Sequence, residues 1–205
     1  VPGIRQPSHV VRLPLDGSAY DPERDCRARR CPVAAVEAYA ATLADPDASM
    51  AEKVVALNFV IHLVGDLHQP LHASADTGNR IVDVDGDRLR LHDLWDDLIV
   101  RHRGRTPSQL AEEIAAGSPC RPEPESGPAD WAMEGRDIAR DAIFADPRLG
   151  GEGVPKLGAD YLDENWRIVR ERLQKAGCRL AGVLNGALGQ EMKTKDDVGS
   201  TQSGE

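Results

Sequence analysis

Two His-x3-Asp pairs, His62/Asp66 and His92/Asp96, lie close together in the chain with a further histidine, His72, between them. Residues four apart on an α-helix sit about 40° apart around its axis, so each pair points one way only if its segment is helical. The fold must therefore bring two helices and the turn between them to one place. A neutral imidazole and a carboxylate aimed at one point form the donor set that a zinc ion takes. Two such groupings imply a multi-metal site, and a multi-metal site implies hydrolysis.

The rest of the chain sets the frame. Its 205 residues suffice for one domain with a real core, burying roughly 70% of the unfolded surface. Aromatic residues make up only 4%, so that core must rest on Leu, Val, Ile and Ala. No run of about 18 apolar residues is present, so no membrane span is expected. The net charge of −9 argues against a protein that coats nucleic acid with a basic face. It leaves open an enzyme that grips phosphate through metal, because each bound zinc reverses the local sign. The opening Val1-Pro2-Gly3-Ile4 resembles neither the start of a translated chain nor a signal peptide, so the N-terminus reads as trimmed.

Cys26, Cys31, Cys120 and Cys178 contain no Cys-x2-Cys pair, which argues against a cysteine-bound zinc. Their even number suggests two disulfides, with three connectivities open. A short Cys26–Cys31 closure is favoured, leaving Cys120–Cys178. Four free thiols are the alternative.

Hydrophobic spacing predicts a mainly α chain. Residues 1–32 read as irregular. A helix follows from Val33 to Leu43, carrying Val33, Val36, Tyr39, Ala40 and Leu43. A longer helix runs from about Met50 to Asp66 or Leu67, opened by a Ser49/Glu52 capping box and ended by Pro70. Its apolar stripe is expected at Val54, Leu57, Ile61 and Val64. A small hairpin is expected near 81–91, around Asp85-Gly86-Asp87. Helices then follow at 92–102, from Thr106-Pro107 to about 116, and at about 129–144, 158–175 and 178–188. Residues 1–189 are read as one domain and 190–205 as a disordered polar tail.

The stretch His62-Leu-Val-Gly-Asp66-Leu-His68-Gln-Pro-Leu-His72 leads into Asp76-x-Gly78-Asn79 and Leu91-His92-x-x-Trp95-Asp96. It resembles the zinc-dependent, single-strand-preferring nucleases and 3′-nucleotidases of the S1/P1 type, whose fold is shared with zinc phospholipase C. The resemblance runs from about His9 to Ala187. It includes Asp25-Cys26…Cys31-Pro-Val and Ala176-Gly177-Cys178-Arg179-Leu180-Ala181. It implies a single-domain multi-helix phospholipase C/nuclease-like fold and up to three zinc ions. His9 and His62 would bind the first zinc, and Asp66 would bridge the first and third, which gives it the catalytic role. His72, His92 and Asp96 would bind the second. Arg5 and Asn79 are the implied substrate contacts. The implied reaction hydrolyses single-stranded DNA or RNA and 3′-nucleotides, leaving 5′-phosphates. Secretion or periplasmic export and a monomeric state complete the expectation.

Outside the ligand set, His68 is read as structural, His102 as surface and Trp95 as core. Asn79 is equally readable as a turn residue beside Gly78. The basic run Arg27 to Arg30 reads as a solvated loop, with a phosphate-steering patch as the alternative.

The chain departs from the family pattern in two respects. The Trp and Trp-Ala-Asp segments that supply further ligands are not found in it. One complete site and one or two partial ones are thus expected, with little activity if the chain is the whole polypeptide. Val10 and Arg12 stand where an aromatic residue and an Asp or Asn contact a base. This leaves two alternatives open: a phospholipase C-type phosphodiesterase, or a zinc-binding remnant.

Overall fold

The computed structural model describes residues 7–117, 119–120 and 126–199, with side chains through residue 189. It is mainly α, with one small sheet. A single turn, α1 (Pro22–Asp25), is capped by the Asp21 side chain. Next come α2 (Pro32–Ala44), with Pro32 in its first turn, and α3 (Met50–His68). The Ser49/Glu52 capping box opens α3 as expected. A 3-10 turn, Pro70–Ala73, follows at once.

Strands β1 (Ile81–Val84) and β2 (Asp87–Arg90) form the expected antiparallel hairpin. Asp85 and Gly86 both take positive φ at its tip, at 53° and 99°, the conformation that a two-residue hairpin favours. The next helical stretch joins α4 (Leu91–Asp93), a π turn at Leu94–Leu98 and α5 (Ile99–His102). Then come α6 (Pro107–Ala115), α7 (Pro128–Ile138) with a π turn at Ala139–Ile143, strand β3 (Lys156–Leu157) and α8 (Ala159–Gly199).

One element is added to those expected and two expectations are corrected. First, the addition: β3 pairs parallel to β1, giving the order β2-β1-β3; two residues are too few to show a periodicity. Second, the helices expected at 158–175 and 178–188 are one continuous α8, whose backbone stays helical past Gln190 to Gly199. Gly177 costs a helix interior about 1 kcal/mol. The buried Ala176 and Arg179 beside it, and the Cys120–Cys178 disulfide, hold that stretch in place.

Third, α3 buries only part of the stripe read from the sequence, Val64 and, partly, Leu57. Val54 and Ile61 are 51% and 46% exposed, while Ala56, Val60, Leu63, Val64 and Leu67 are buried. Apolar residues occur nearly all round this helix, so spacing alone does not select a face. Packing does: Phe59 stacks on Tyr39 of α2, with ring centroids 4.6 Å apart.

The buried side chains form two clusters. One gathers Val11, Leu13, Val36, Tyr39, Val60, Leu63, Leu67 and Trp131. The other gathers Leu71, Val82, Leu91, Leu94, Trp95, Ile99, Tyr161 and Trp166. The 3-10 turn joins them, since Leu71 belongs to the second and Ala73 to the first.

Beneath this turn lies a charged clamp. Glu134 of α7 receives Arg172 and Arg179 of α8, each at 2.6 Å. Arg172 Nε also donates to the His68 carbonyl at 3.1 Å, satisfying an orphan acceptor at the end of α3. Arg179 Nη1 donates to His68 Nε2 at 3.0 Å, and His68 Nδ1 donates to Val64 O at 2.7 Å. Burial pushes the His68 pKa down to about 3, and the two guanidiniums act in the same direction, so His68 is neutral. Its structural reading from sequence agrees with this placement.

Burial alone would raise the Glu134 carboxyl, but Arg179 and Arg172 outweigh it and bring it down to about 2. A depressed carboxylate contributes stability that is complete above its ordinary value of 4.5 and fades as pH falls toward 2. Glu134→Ala leaves two buried guanidiniums without their partner and is expected to cost about 3 kcal/mol at neutral pH. Urea unfolding at neutral and acid pH checks this: the gap between wild type and variant should narrow as the pH drops below 4.5.

Candidate metal centre

His62 and Asp66 occupy the last turns of α3 and face the same way, as their spacing requires. His9 comes from an irregular segment that runs beside residues 72–75. Val11 N–H donates to His72 O and Ala75 N–H to Leu13 O, both at 2.8 Å. Burial of Val11 and Leu13 fixes the register of this segment. His9 Nδ1 thereby sits 3.0 Å from Asp66 Oδ2 and 2.8 Å from His62 Nε2, while His62 Nε2 is 3.2 Å from the same carboxylate oxygen.

The second grouping sits across Asp66. His72 is buried on the 3-10 turn. His92 and Asp96 belong to α4 and the following π turn, an irregularity often found at functional sites. His72 Nε2 lies 3.2 Å from Asp96 Oδ1, and His92 Nε2 lies 3.7 Å from Asp96 Oδ2. The His72 and His92 rings stack with centroids 4.9 Å apart. Asp66 joins the two groupings: one oxygen faces His9 and His62, and the other is 3.3 Å from His72 Nδ1.

These residues fit metal ions. His72 Nδ1 faces His9 O at 3.1 Å and His92 Nδ1 faces Thr77 O at 2.9 Å. A carbonyl can only accept, so both Nδ1 atoms carry a proton, which leaves the two Nε2 atoms as the nitrogens that would meet a metal ion, the ion replacing any proton on them. This is the outer arrangement that metal-ligating histidines use. His72 Nε2 is buried and has no hydrogen-bond partner, being off-line to Asp96 despite its proximity. A buried polar atom left without a hydrogen-bond partner calls for an occupant. In the first grouping, two imidazole nitrogens and a carboxylate oxygen crowd within 3.2 Å of one another. Two donors on one tetrahedral zinc are about 3.3 Å apart.

Electrostatics agree. Burial works against charging His72, but Asp66 and Asp96 beside it prevail and push its pKa up to about 9. The contact with His72 pulls Asp96 down in turn. The site is thus built to hold positive charge between its carboxylates.

The structure brings His9, His62 and Asp66 into one grouping and His72, His92 and Asp96 into another, with the donor atoms of each within 4.8 Å. Arg5 lies outside the described residues. Asn79 is exposed at the edge of the loop. Trp95 is buried and donates to Tyr161 Oη at 3.1 Å, as its core reading required. Both disulfides, Cys26–Cys31 and Cys120–Cys178, are present.

Sequence reasoning missed the residues that hold the candidate ligands. Gln69 caps the 3-10 turn and donates to Asp96 Oδ1 at 3.2 Å. Thr77 and Gly78 hold His92 through their carbonyls. Only Gln69 carried a signal, since a polar side chain before Pro70 suits a cap.

A mainly helical fold presenting two adjacent His2Asp groupings, one carboxylate in each, defines the class. The S1/P1 Nuclease family profile matches residues 5–189, and the chain belongs to that family. It is 28% identical to Nuclease S1 of Aspergillus oryzae over 208 residues, covering 88% of this chain and 71% of that protein. It is 27% identical to Endonuclease 2 of Arabidopsis thaliana over 214 residues, covering 89% of this chain and 72% of that one. Nuclease P1 of Penicillium citrinum matches more closely over less, at 40% across 79 residues, covering 37% and 29%.

Gly78 has φ +66°, and a Cβ there would meet Leu71 Cδ1 at 2.7 Å and His92 N at 3.2 Å. Gly78→Ala is expected to cost about 1–3 kcal/mol in backbone strain. It should weaken metal at the His92 grouping about tenfold or more. Zinc competition with a chromophoric chelator checks this: one class of site should weaken while the other holds.

Proposed function

We propose that this chain is a zinc-dependent hydrolase that cleaves phosphodiester bonds in single-stranded DNA or RNA and acts on 3′-nucleotides, leaving 5′-phosphates. The observation that carries the reading is the adjacency of the two groupings, Asp66 placing one oxygen in the first and the other 3.3 Å from His72 Nδ1 of the second. His9, His62 and Asp66 would hold one ion, and His72, His92 and Asp96 another. A third ion, as in the family pattern, would share Asp66. When bound, zinc supplies a hydroxide at neutral pH and neutralises charge building up on phosphate.

The chain's own residues supply position. Asp66 and His72 fix the distance between the groupings. Thr77 O and His9 O hold the tautomers of His92 and His72. The exposure of His9 and His62, 59% and 56% of their side chains, leaves that side open to a long polymer. Asn79 and Arg5 are the substrate contacts in this reading. The two disulfides suit an oxidising compartment, which supports secretion or periplasmic export. No helix of the described residues is long and apolar enough to cross a membrane.

A second reading, phospholipid headgroup hydrolysis, draws on two observations. Val10 offers no aromatic face to a base, and an apolar pocket of about 190 Å³ lined by Trp95, Val100, Val169 and Leu173 adjoins Asp66 and Asp96. Side-by-side assays of single-stranded DNA, 3′-AMP and a phosphocholine lipid separate the two. The expected result is zinc-dependent release of 5′-phosphate products from DNA, abolished by chelation. Asp66→Asn should lower kcat/KM by about a thousandfold or more. Lipid hydrolysis without DNA cleavage would reverse the assignment.

A further inference from the structure

Several of the chain's arginines have committed partners. Arg24 pairs with Asp25, Arg90 with Asp93 and Arg148 with Asp146. Arg12, Arg27 and Arg30 are exposed and make no side-chain ion pair or hydrogen bond among the described residues. Arg29, between them, reaches only an exposed Glu37 at 3.4 Å, a contact worth little. Exposed, uncommitted arginines on two segments joined by the Ser8 N–H to Arg30 O bond, in a chain of net charge −9, need a reason.

Their place supplies one. Arg27, Arg29 and Arg30 lie in the loop closed by the Cys26–Cys31 disulfide, whose cysteines are both buried. Ala28 and Arg29 take positive φ in succession, at 55° and 54°. Side chains other than glycine rarely adopt that conformation. Arg29 N–H donates to Cys26 O, and Ser8 N–H donates to Arg30 O at 2.7 Å. The loop is therefore docked on the residue that precedes His9. Arg12 extends from the other side of His9, on the segment bonded to His72, between buried Val11 and Leu13. Of the acids around the loop, Asp21 caps α1, Asp25 is held by Arg24 and Glu37 faces Arg29, while Glu23 is exposed; none pairs with Arg12, Arg27 or Arg30 among the described residues.

We infer that Arg12, Arg27 and Arg30 form a cationic rim that holds the sugar-phosphate backbone of a single-stranded nucleic acid on the His9 side of the metal centre. The inference rests on the nuclease reading and deepens it, naming what favours a polymer over a single nucleotide. A mononucleotide brings one phosphate, whereas a strand brings one per nucleotide. Guanidinium suits phosphate through its planar fork of donors. Because the rim contacts phosphate and not bases, it replaces stacking with a grip indifferent to sequence.

The test compares wild type with the Arg12→Ala/Arg27→Ala/Arg30→Ala triple variant and the matching triple Arg→Lys variant. Fluorescence anisotropy measures binding of a labelled oligothymidylate in chelator, between about 50 and about 200 mM salt. Each phosphate contact contributes about 0.7 to the slope of log K against log salt on a single strand, so the Ala variant should lose about 2. With zinc, its KM for the oligonucleotide should rise at least about tenfold with kcat nearly unchanged, and its preference for the oligonucleotide over bis(p-nitrophenyl) phosphate should fall in step. The Lys variant should recover most of the slope. An unchanged slope and KM in the Ala variant would overturn the rim. Should no phosphodiester be hydrolysed by the wild type, the nuclease reading fails, while the anisotropy arm still decides the rim.

Discussion

The partly buried contact between Glu134 and the buried Arg172 and Arg179 is what the rest of the molecule hangs on. It ties α7 to α8, and through the His68 carbonyl and imidazole it ties both to the end of α3. Two hydrophobic clusters meet there, joined by a turn of four residues. Apolar packing alone would let the clusters shift against each other, because it is non-directional. Charged hydrogen bonds between fixed groups are directional, so they set one arrangement.

That arrangement decides the spacing of the candidate metal centre. His62 and Asp66 ride on the first cluster, and His92 and Asp96 on the second. His72 stands on the turn between them, in contact with both carboxylates. A displacement of about 1 Å between the clusters would part Asp66 from His72 and leave two separate sites, and misplacements of that size are costly in catalysis. The centre is thus a property of how the two halves dock, and the clamp is what fixes the docking.

Much of this was legible from the chain alone. The His-x3-Asp spacing located two helices and their facing sides. The Ser49/Glu52 box located the start of α3, and Asp85-Gly86 located the hairpin tip. The rest was hidden for physical reasons. The buried face of α3 was misread because apolar residues occur on all its sides, and the partner helix chooses among them. The length of α8 was misread because Gly177 weakens a helix without forcing a break, and neighbours held it. The clamp left no signal, since Glu134, Arg172 and Arg179 look like any surface charges until the fold buries the two arginines against a half-buried Glu134. Thr77 and Gly78 act through backbone carbonyls, which carry no side-chain signature.

Zinc-edge anomalous diffraction from crystals of this chain grown with zinc tests the central claim most directly. The expected result is one peak at bonding distance from His9, His62 and Asp66 and a second at bonding distance from His72, His92 and Asp96. Zinc bound elsewhere, with these six side chains free of metal, would contradict it.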